Sequence, residues 1–93
     1  LSTIADGLRT PLALRTLAAI RANVDDVGTC SEDAIVRAMR MTFERMKLVI
    51  EPSSAVPLAC LLDRSLSAPG ARIGVIVSGG NVDLDRLPWQ HGD

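Results

Sequence analysis

Apolar residues recur at helical spacing in three stretches of the chain. The first stretch follows Thr10 and Pro11. The Thr10 hydroxyl would cap a helix. Pro11 would be its first helical residue, where the N–H that proline lacks would have no helical partner anyway. Residues 12–22 are apolar over much of the helix surface that they would form. This pattern predicts a buried first helix.

A second helix is predicted to begin after Ser31. Its hydroxyl would cap the helix, and the carboxylates of Glu32 and Asp33 would complement the positive end of the helix dipole. Apolar or small residues then fall three or four apart, and they predict one buried stripe up to Pro52, which ends the helix. The stripe contains Ile35, Ala38, Met39, Thr42, Met46 and Val49.

The third helix is predicted to begin at Ser53 or Ser54, either of which could cap it. Pro57 would lie in its first turn, where it is tolerated, and residues 58–62 would continue it. A turn at residues 67–70 follows.

Two short strands complete the predicted order of helix, short strand, two helices, strand. They cover residues 26–30 and the β-branched residues 72–77. Two strands do not form an independently stable sheet. The sequence therefore predicts an α/β fold in which residues 1–93 form part of one domain, the sheet is incomplete, and the missing partners lie upstream.

Composition limits the function classes. With 47% apolar residues but only one Phe, one Trp and no Tyr among 93 residues, the core must be aliphatic. A net charge of −1 offers no basic surface for nucleic acid or membrane, and no apolar run is long enough to span a bilayer. Cys30 and Cys60 lack C-x-x-C spacing and are interpreted as free thiols in a reducing cytoplasm. His91, Asp83 and Asp85 predict no metal site. The absence of an initiator Met suggests a piece of a longer protein.

Ser78 is the main candidate functional residue. It ends the second predicted strand, and α/β sheets usually bind ligands at the carboxyl ends of their strands. Gly79 and Gly80 could let a flat ring or a phosphate approach the main chain, although a tight turn would also need them. These residues by themselves predict a small-molecule site.

Six short strings occur in an order and spacing that resemble the C-terminal part of the pyridoxal-phosphate-dependent threonine/serine dehydratases and serine racemases. They are residues 3–7, 24–26, 31–33, 43–47, 51–53 and 78–84. The resemblance extends from Thr3 to about Trp89. It implies the tryptophan-synthase-β-like fold, in which the cofactor lies between two α/β domains and this chain ends the larger one.

The resemblance also implies roles for four residues at the cofactor. Ser78 would donate a hydrogen bond to the pyridine nitrogen. A serine hydroxyl is too weak an acid to protonate that nitrogen, so the ring would be a modest electron sink that favours loss of a β-hydroxyl over transamination. Gly79, Gly7 and Glu51 would lie around the cofactor. Asp6 beside Gly7 could instead only order a turn, and Glu51 could be an ordinary carboxylate at a helix end.

Lys47 is the only lysine, but it is not expected to be the Schiff-base lysine. Its spacing from Glu44 and Glu51 favours solvated ion pairs on one helix face. The resemblance places the Schiff-base lysine and any divalent-cation ligands upstream, so this chain supplies no catalytic or metal-binding residue. In eukaryotic serine racemases, the positions similar to Lys47 and Asn81 bind a nucleotide effector at the dimer interface.

The sequence thus suggests part of a cytoplasmic, homodimeric ammonia-lyase that converts L-threonine or L-serine to a 2-oxo acid. The isolated chain should be inactive, because it lacks the lysine and the rest of the enzyme. A serine racemase would share the same site. A non-catalytic interaction or regulatory module is the alternative from another class, and it predicts a stable fold without an exposed apolar face.

Overall fold

Three α-helices organise the chain in the computed structural model, which describes residues 2–90. They are α1 (Leu14–Asn23), α2 (Glu32–Met41) and α3 (Pro52–Leu62). A π-helical turn, Thr42–Met46, extends α2, and short 3₁₀ turns lie at Asp6–Leu8, Leu84–Arg86 and Pro88–Gln90.

The start of α2 is confirmed. The Ser31 hydroxyl accepts a hydrogen bond from the Ala34 N–H at 3.1 Å. One face of α2 is buried through Ala34, Ile35, Ala38 and Met39. The two alanines are small and Met39 is flexible, so α2 can pack closely against α3, and this pairing forms the centre of the fold.

The end of the second helix differs from the prediction. The buried stripe continues only to Thr42, whose hydroxyl donates to the Ala38 carbonyl at 2.8 Å. Lys47 then takes the left-handed conformation, with φ of 60°, and ends the helical segment before Pro52. As a result, Met46 and Val49 are 62% and 40% exposed, and their placement in the stripe was wrong.

Helix α3 begins earlier than the sequence suggested. Glu51 is its N-cap residue and Pro52 its first helical residue, so neither Ser53 nor Ser54 is the cap. Pro57 consequently lies inside the helix rather than in its first turn. Because proline has no N–H, Pro57 leaves the Ser53 carbonyl without its helical partner.

Helix α1 is not buried. All of its residues are described and none of them is buried; Leu14 is 87% exposed. The helix begins at Leu14 rather than near Thr10, and Ala13 gives it no side-chain cap. Its apolar character has no matching surface among the described residues, which is why the expectation of burial fails here.

Neither predicted strand is present: residues 2–90 contain no β-strand. A strand exists through its hydrogen-bonded ladder with a neighbour, and residues 26–30 and 72–77 do not pair with each other. The β-branched segment 72–77 is irregular, and Ile76 within it is 82% exposed. The helical part of the predicted order is confirmed, whereas the strands and the sheet are not.

The core lies between α2, α3 and the segments around Ala5 and Leu87. It contains Ala5, Ala34, Ile35, Ala38, Met39, Ile50, Ala55, Ala59 and Leu87. The Phe43 and Trp89 rings, 5.5 Å apart, pack at its edge. The radius of gyration is 14.2 Å. A compact domain of this length would have about 12 Å. Across residues 2–90, no helix has the length and apolar character needed to cross a bilayer.

Candidate functional site

The first turn of α3 gathers the segments that contain the predicted site residues. The Glu51 N–H donates to the Gly79 carbonyl at 3.0 Å. The Ser54 hydroxyl accepts from the Ser78 N–H at 2.9 Å, and the Ser53 hydroxyl accepts from the Gly7 N–H at 3.0 Å. Gly7, Glu51, Ser78 and Gly79 are therefore brought together, although up to 72 positions separate them in the chain.

The Glu51 side chain lies at the centre of this cluster. Its Oε1 accepts a long hydrogen bond from the Asn81 N–H at 3.4 Å. A Cβ added to Gly79 would lie 2.6 Å from the same oxygen, and one added to Gly7 would lie 4.0 Å from Oε2. The carboxylate therefore fills the space between the two glycine segments.

The glycines at this site are explained by close packing within the chain. A Cβ at Gly7 would lie 2.8 Å from the Ser53 hydroxyl oxygen, and a Cβ at Gly80 would overlap the Val49 carbonyl oxygen. Neither Gly79 nor Gly80 has a positive φ. The space that their missing side chains provide is occupied by α3 and the residues before it, and a left-handed turn is not the reason for them.

Ser78 is an exposed residue of this cluster. Its main-chain N–H is bonded to Ser54, whereas its hydroxyl makes no hydrogen bond to any of residues 2–90. A hydroxyl that is free to donate, on an anchored main chain, suits an acceptor such as a pyridine nitrogen. The residues present therefore fit the ring edge of pyridoxal phosphate.

Glu32 holds the segment that leads to Gly7. Its two carboxylate oxygens accept from the Thr3 hydroxyl at 2.8 Å and from the Ile4 N–H at 2.7 Å. The Arg9 side chain donates to the Thr3 carbonyl at 3.1 and 2.6 Å and closes the loop. Asp6 opens the short 3₁₀ turn, where its carbonyl accepts from the Arg9 N–H at 3.3 Å.

Lys47 does not form the predicted ion pairs. Its ammonium group donates to the Glu44 main-chain carbonyl at 2.6 Å, and the Glu44 carboxylate pairs with Arg40 at 3.1 Å instead. Because the helical segment ends at Lys47, Glu51 does not continue the same helix face. Lys47 and Asn81 are both exposed, and within residues 2–90 no hydrogen bond joins them.

Sequence reasoning missed Ser53 and Ser54 as residues that hold the site, and it assigned Glu32 only to the helix dipole. The adjacent serines after Glu51 and Pro52 were considered as caps. Their actual partners, Gly7 and Ser78, are 46 and 24 positions away. Only the tertiary structure connects hydroxyls and loops at such separations.

The two cysteines are free thiols outside this cluster. Burial of the Cys30 thiol, reinforced by the neighbouring Cys60 thiol, raises its pKa to about 11. A thiol with a raised pKa is a poor nucleophile at neutral pH, so Cys30 is unsuited to covalent chemistry.

No group of three potential metal ligands occurs within the described part of the chain. The Asp83 carboxylate accepts from the Asp85 N–H at 2.9 Å and caps a short turn. His91 lies outside the described residues.

An exposed hydroxyl and a carboxylate thus come together at the start of α3, where the segments around Gly7 and Gly79 meet. Comparison with known proteins identifies the class of protein. The family model described as pyridoxal-phosphate dependent enzyme matches residues 1–79. The chain belongs to this family, whose members bind pyridoxal phosphate.

Individual relatives agree with this assignment. The chain is 48% identical over 87 residues to beta-hydroxyaspartate dehydratase of Paracoccus denitrificans, covering 94% of this chain and 28% of the relative. Maize serine racemase superposes with a TM-score of 0.82 at 47% identity, covering 96% of this chain and 28% of that one. The T.th. threonine deaminase superposes with a TM-score of 0.73 at 42% identity, covering 88% and 30%. The fold thus matches fold-type II pyridoxal-phosphate enzymes, and the chain spans less than a third of these relatives.

Proposed function

We propose that this chain is the C-terminal portion of the cofactor-binding large domain of an ammonia-lyase. The whole enzyme eliminates water from L-threonine or L-serine, and hydrolysis of the resulting enamine (through its imine) releases ammonia and yields a 2-oxo acid. The observation that carries the proposal is the convergence of Gly7, Glu51, Ser78 and Gly79 at the first turn of α3. When bound, pyridoxal phosphate supplies the electron sink for this chemistry.

The role of Ser78 follows from its surroundings. Its main chain is held by α3 while its hydroxyl is exposed, so the hydroxyl can donate to the pyridine nitrogen. Serine cannot give up its proton as a carboxylic acid can. A ring nitrogen held by this hydroxyl would be hydrogen-bonded but uncharged. Such a ring would favour loss of a β-hydroxyl over transamination.

Glu51 keeps the glycine segments at a fixed separation beside Ser78. Its main-chain N–H and its carboxylate bind residues on the Gly79 side, and the carboxylate faces Gly7. A negative charge near the ring edge would also disfavour a competing anion at this place. Lys47 and Asn81 remain candidates for a nucleotide site at the interface of a homodimer in the cytoplasm.

Serine racemase activity is the second candidate, supported by the 47% identity to maize serine racemase. The resemblance to the family places the group that would act on the opposite face of Cα upstream of this chain. The non-catalytic module is disfavoured because large apolar side chains are widely exposed, with Leu14 at 87%, Ile76 at 82% and Val27 at 73%.

The test uses the whole protein with pyridoxal phosphate. The 2-oxo acid formed from L-threonine and L-serine is measured by coupled reduction, and D-serine is measured by chiral chromatography. Lyase activity requires sustained 2-oxo acid formation, whereas D-serine as the dominant product would favour the racemase.

Ser78→Ala removes one neutral hydrogen bond to the ring, so we expect roughly tenfold slower turnover and a changed absorbance band of the bound cofactor. Ser67→Ala, an exposed serine outside the cluster, is the matched control. Wild-type turnover and an unchanged spectrum in Ser78→Ala would contradict the proposed role.

A further inference from the structure

We propose that Ser54 is a positioning residue for Ser78. Its buried hydroxyl binds the Ser78 N–H and thereby fixes the position of the Ser78 side chain relative to the cofactor. This inference rests on the proposed function of Ser78. It adds a residue that acts through Ser78 and does not itself touch the cofactor.

Burial identifies Ser54 as unusual. It is 1% exposed and lies beside Ala55, which is 0% exposed, on the face of α3 that enters the core. A hydroxyl in such surroundings is unfavourable unless it is hydrogen-bonded, and alanine would pack there without that requirement. The partner of the hydroxyl is the Ser78 N–H, at 2.9 Å. The contribution that distinguishes serine from alanine at position 54 is therefore this bond.

Within residues 2–90, the Ser54 hydroxyl is the hydrogen-bond partner of the Ser78 main chain. None of residues 72–77 makes a hydrogen bond to another described residue, and Ile76 and Val77 are 82% and 48% exposed. After Ser78, the next anchor is the bond from the Glu51 N–H to the Gly79 carbonyl. Ser54 is thus the anchor on the N-terminal side of the Ser78 side chain, and Glu51 is the anchor on the other side.

The bond acts on chemistry through geometry. A single rotatable bond, Cα–Cβ, sets the position of the Ser78 side-chain oxygen relative to the main chain. A displacement of the main chain therefore moves the hydroxyl as well. Hydrogen bonds between O–H and nitrogen weaken steeply outside a narrow range of distance and angle. If the Ser54 hydroxyl is removed, the Ser78 hydroxyl is expected to lose its alignment with the pyridine nitrogen.

The experiment compares Ser54→Ala, Ser78→Ala and the double variant in the whole enzyme with pyridoxal phosphate. We expect Ser54→Ala to lower kcat roughly tenfold, equivalent to about 1.4 kcal/mol, with little change in KM for the amino acid. The absorbance band of the bound cofactor should shift in the same direction as in Ser78→Ala. Since Ser54 acts through Ser78, the double variant should be no slower than Ser78→Ala.

The matched control is Ser65→Ala, which also removes a hydroxyl bonded to the main chain, here to the Cys60 carbonyl at 3.3 Å, away from the cluster. It should leave the cofactor spectrum unchanged. Additive losses in the double variant, or a wild-type spectrum in Ser54→Ala when Ser78→Ala is impaired, would overturn the positioning role alone. If Ser78→Ala is itself unimpaired, the proposed function of Ser78 fails instead.

A second measurement needs no variant and so does not depend on whether Ser54→Ala folds. Hydrogen–deuterium exchange of the whole enzyme should show the Ser78 amide protected, while the amides of residues 72–77 that remain exposed exchange faster. Free exchange of the Ser78 amide in the wild-type enzyme would refute the bond on which the inference depends.

Discussion

Gly80→Ala is the substitution that the structure predicts to damage the site most directly. The added Cβ would overlap the main-chain carbonyl oxygen of Val49 and lie 3.4 Å from the Val49 carbonyl carbon. Its third neighbour is the Cα of Ile50, which is 2% exposed in the core. Because all three atoms belong to the main chain, no side-chain rotation can relieve the contact.

The expected cost is therefore that of a forced main-chain shift, about 1–3 kcal/mol. Two other glycines provide graded comparisons. At Gly79, the nearest atom is the Oε1 end of Glu51, at 2.6 Å, and this flexible carboxylate can move. At Gly74, nothing among residues 2–90 lies within 4 Å, so the described residues impose no steric cost on Gly74→Ala.

The assay is thermal unfolding of the whole protein, with and without pyridoxal phosphate. A loss of 1 kcal/mol lowers the unfolding midpoint by roughly 2–4 °C in a domain of about 150–250 residues. The midpoint of Gly80→Ala should therefore lie several degrees below that of the wild type. The unfolding midpoint of Gly79→Ala should fall by less. This variant should nevertheless bind the cofactor more weakly, because the displaced Glu51 carboxylate no longer accepts from the Asn81 N–H. The reasoning is wrong if Gly80→Ala unfolds at the wild-type temperature, or if Gly74→Ala is the least stable of the three.

Three further predictions concern the rest of the fold. Ser31→Ala should destabilise the whole protein by about 1 kcal/mol in denaturant unfolding, because the capping bond to the Ala34 N–H is lost; no change would refute the cap. Burial raises the pKa of Cys30 to about 11, so its alkylation by iodoacetamide at pH 8 should be roughly 100-fold slower than that of a thiol of pKa 9.0. The alkylation rate should still rise tenfold per pH unit up to pH 9.5, and a plateau near pH 9 would contradict this. Leu14→Glu should destabilise the whole protein by more than about 2 kcal/mol if α1 is covered there, whereas Thr16→Glu should stay near zero; equal effects would indicate that α1 remains exposed.

Local signals predicted the elements whose partners lie nearby in the chain. Ser31 caps α2 because its hydroxyl needs only an N–H three residues later. The buried face of α2 follows from its period as far as Thr42. The left-handed residue Lys47 then ends the helical segment, and nothing in the local pattern indicated a stop before Pro52.

The predicted strands are not confirmed, because a strand depends on a neighbour that is distant in the chain. Val75, Ile76 and Val77 have the side chains of a buried strand, but a strand needs a hydrogen-bonded neighbour, which residues 2–90 do not supply. The same reasoning applies to α1, which has an apolar sequence and no buried residue. Both segments have side chains that are suited to burial. The chain spans less than a third of its relatives in this family, and its residues 2–90 do not contain the surfaces that would cover these segments.

The site nevertheless forms without the sheet, and the reason lies in α3. A helix start presents N–H groups that have no helical partner, and here it also presents two hydroxyls, so it can bind several loops at once. The Glu51 N–H takes the Gly79 carbonyl, while Ser53 and Ser54 accept from Gly7 and Ser78. The resemblance to known enzymes selected the residues proposed to lie at the cofactor, because those residues belong to short strings. It could not select Ser54, whose importance depends on a bond across 24 positions to a segment expected to be held by a sheet. Within residues 2–90, that buried hydroxyl binds the Ser78 N–H, and the Glu51 N–H holds Gly79 on the other side.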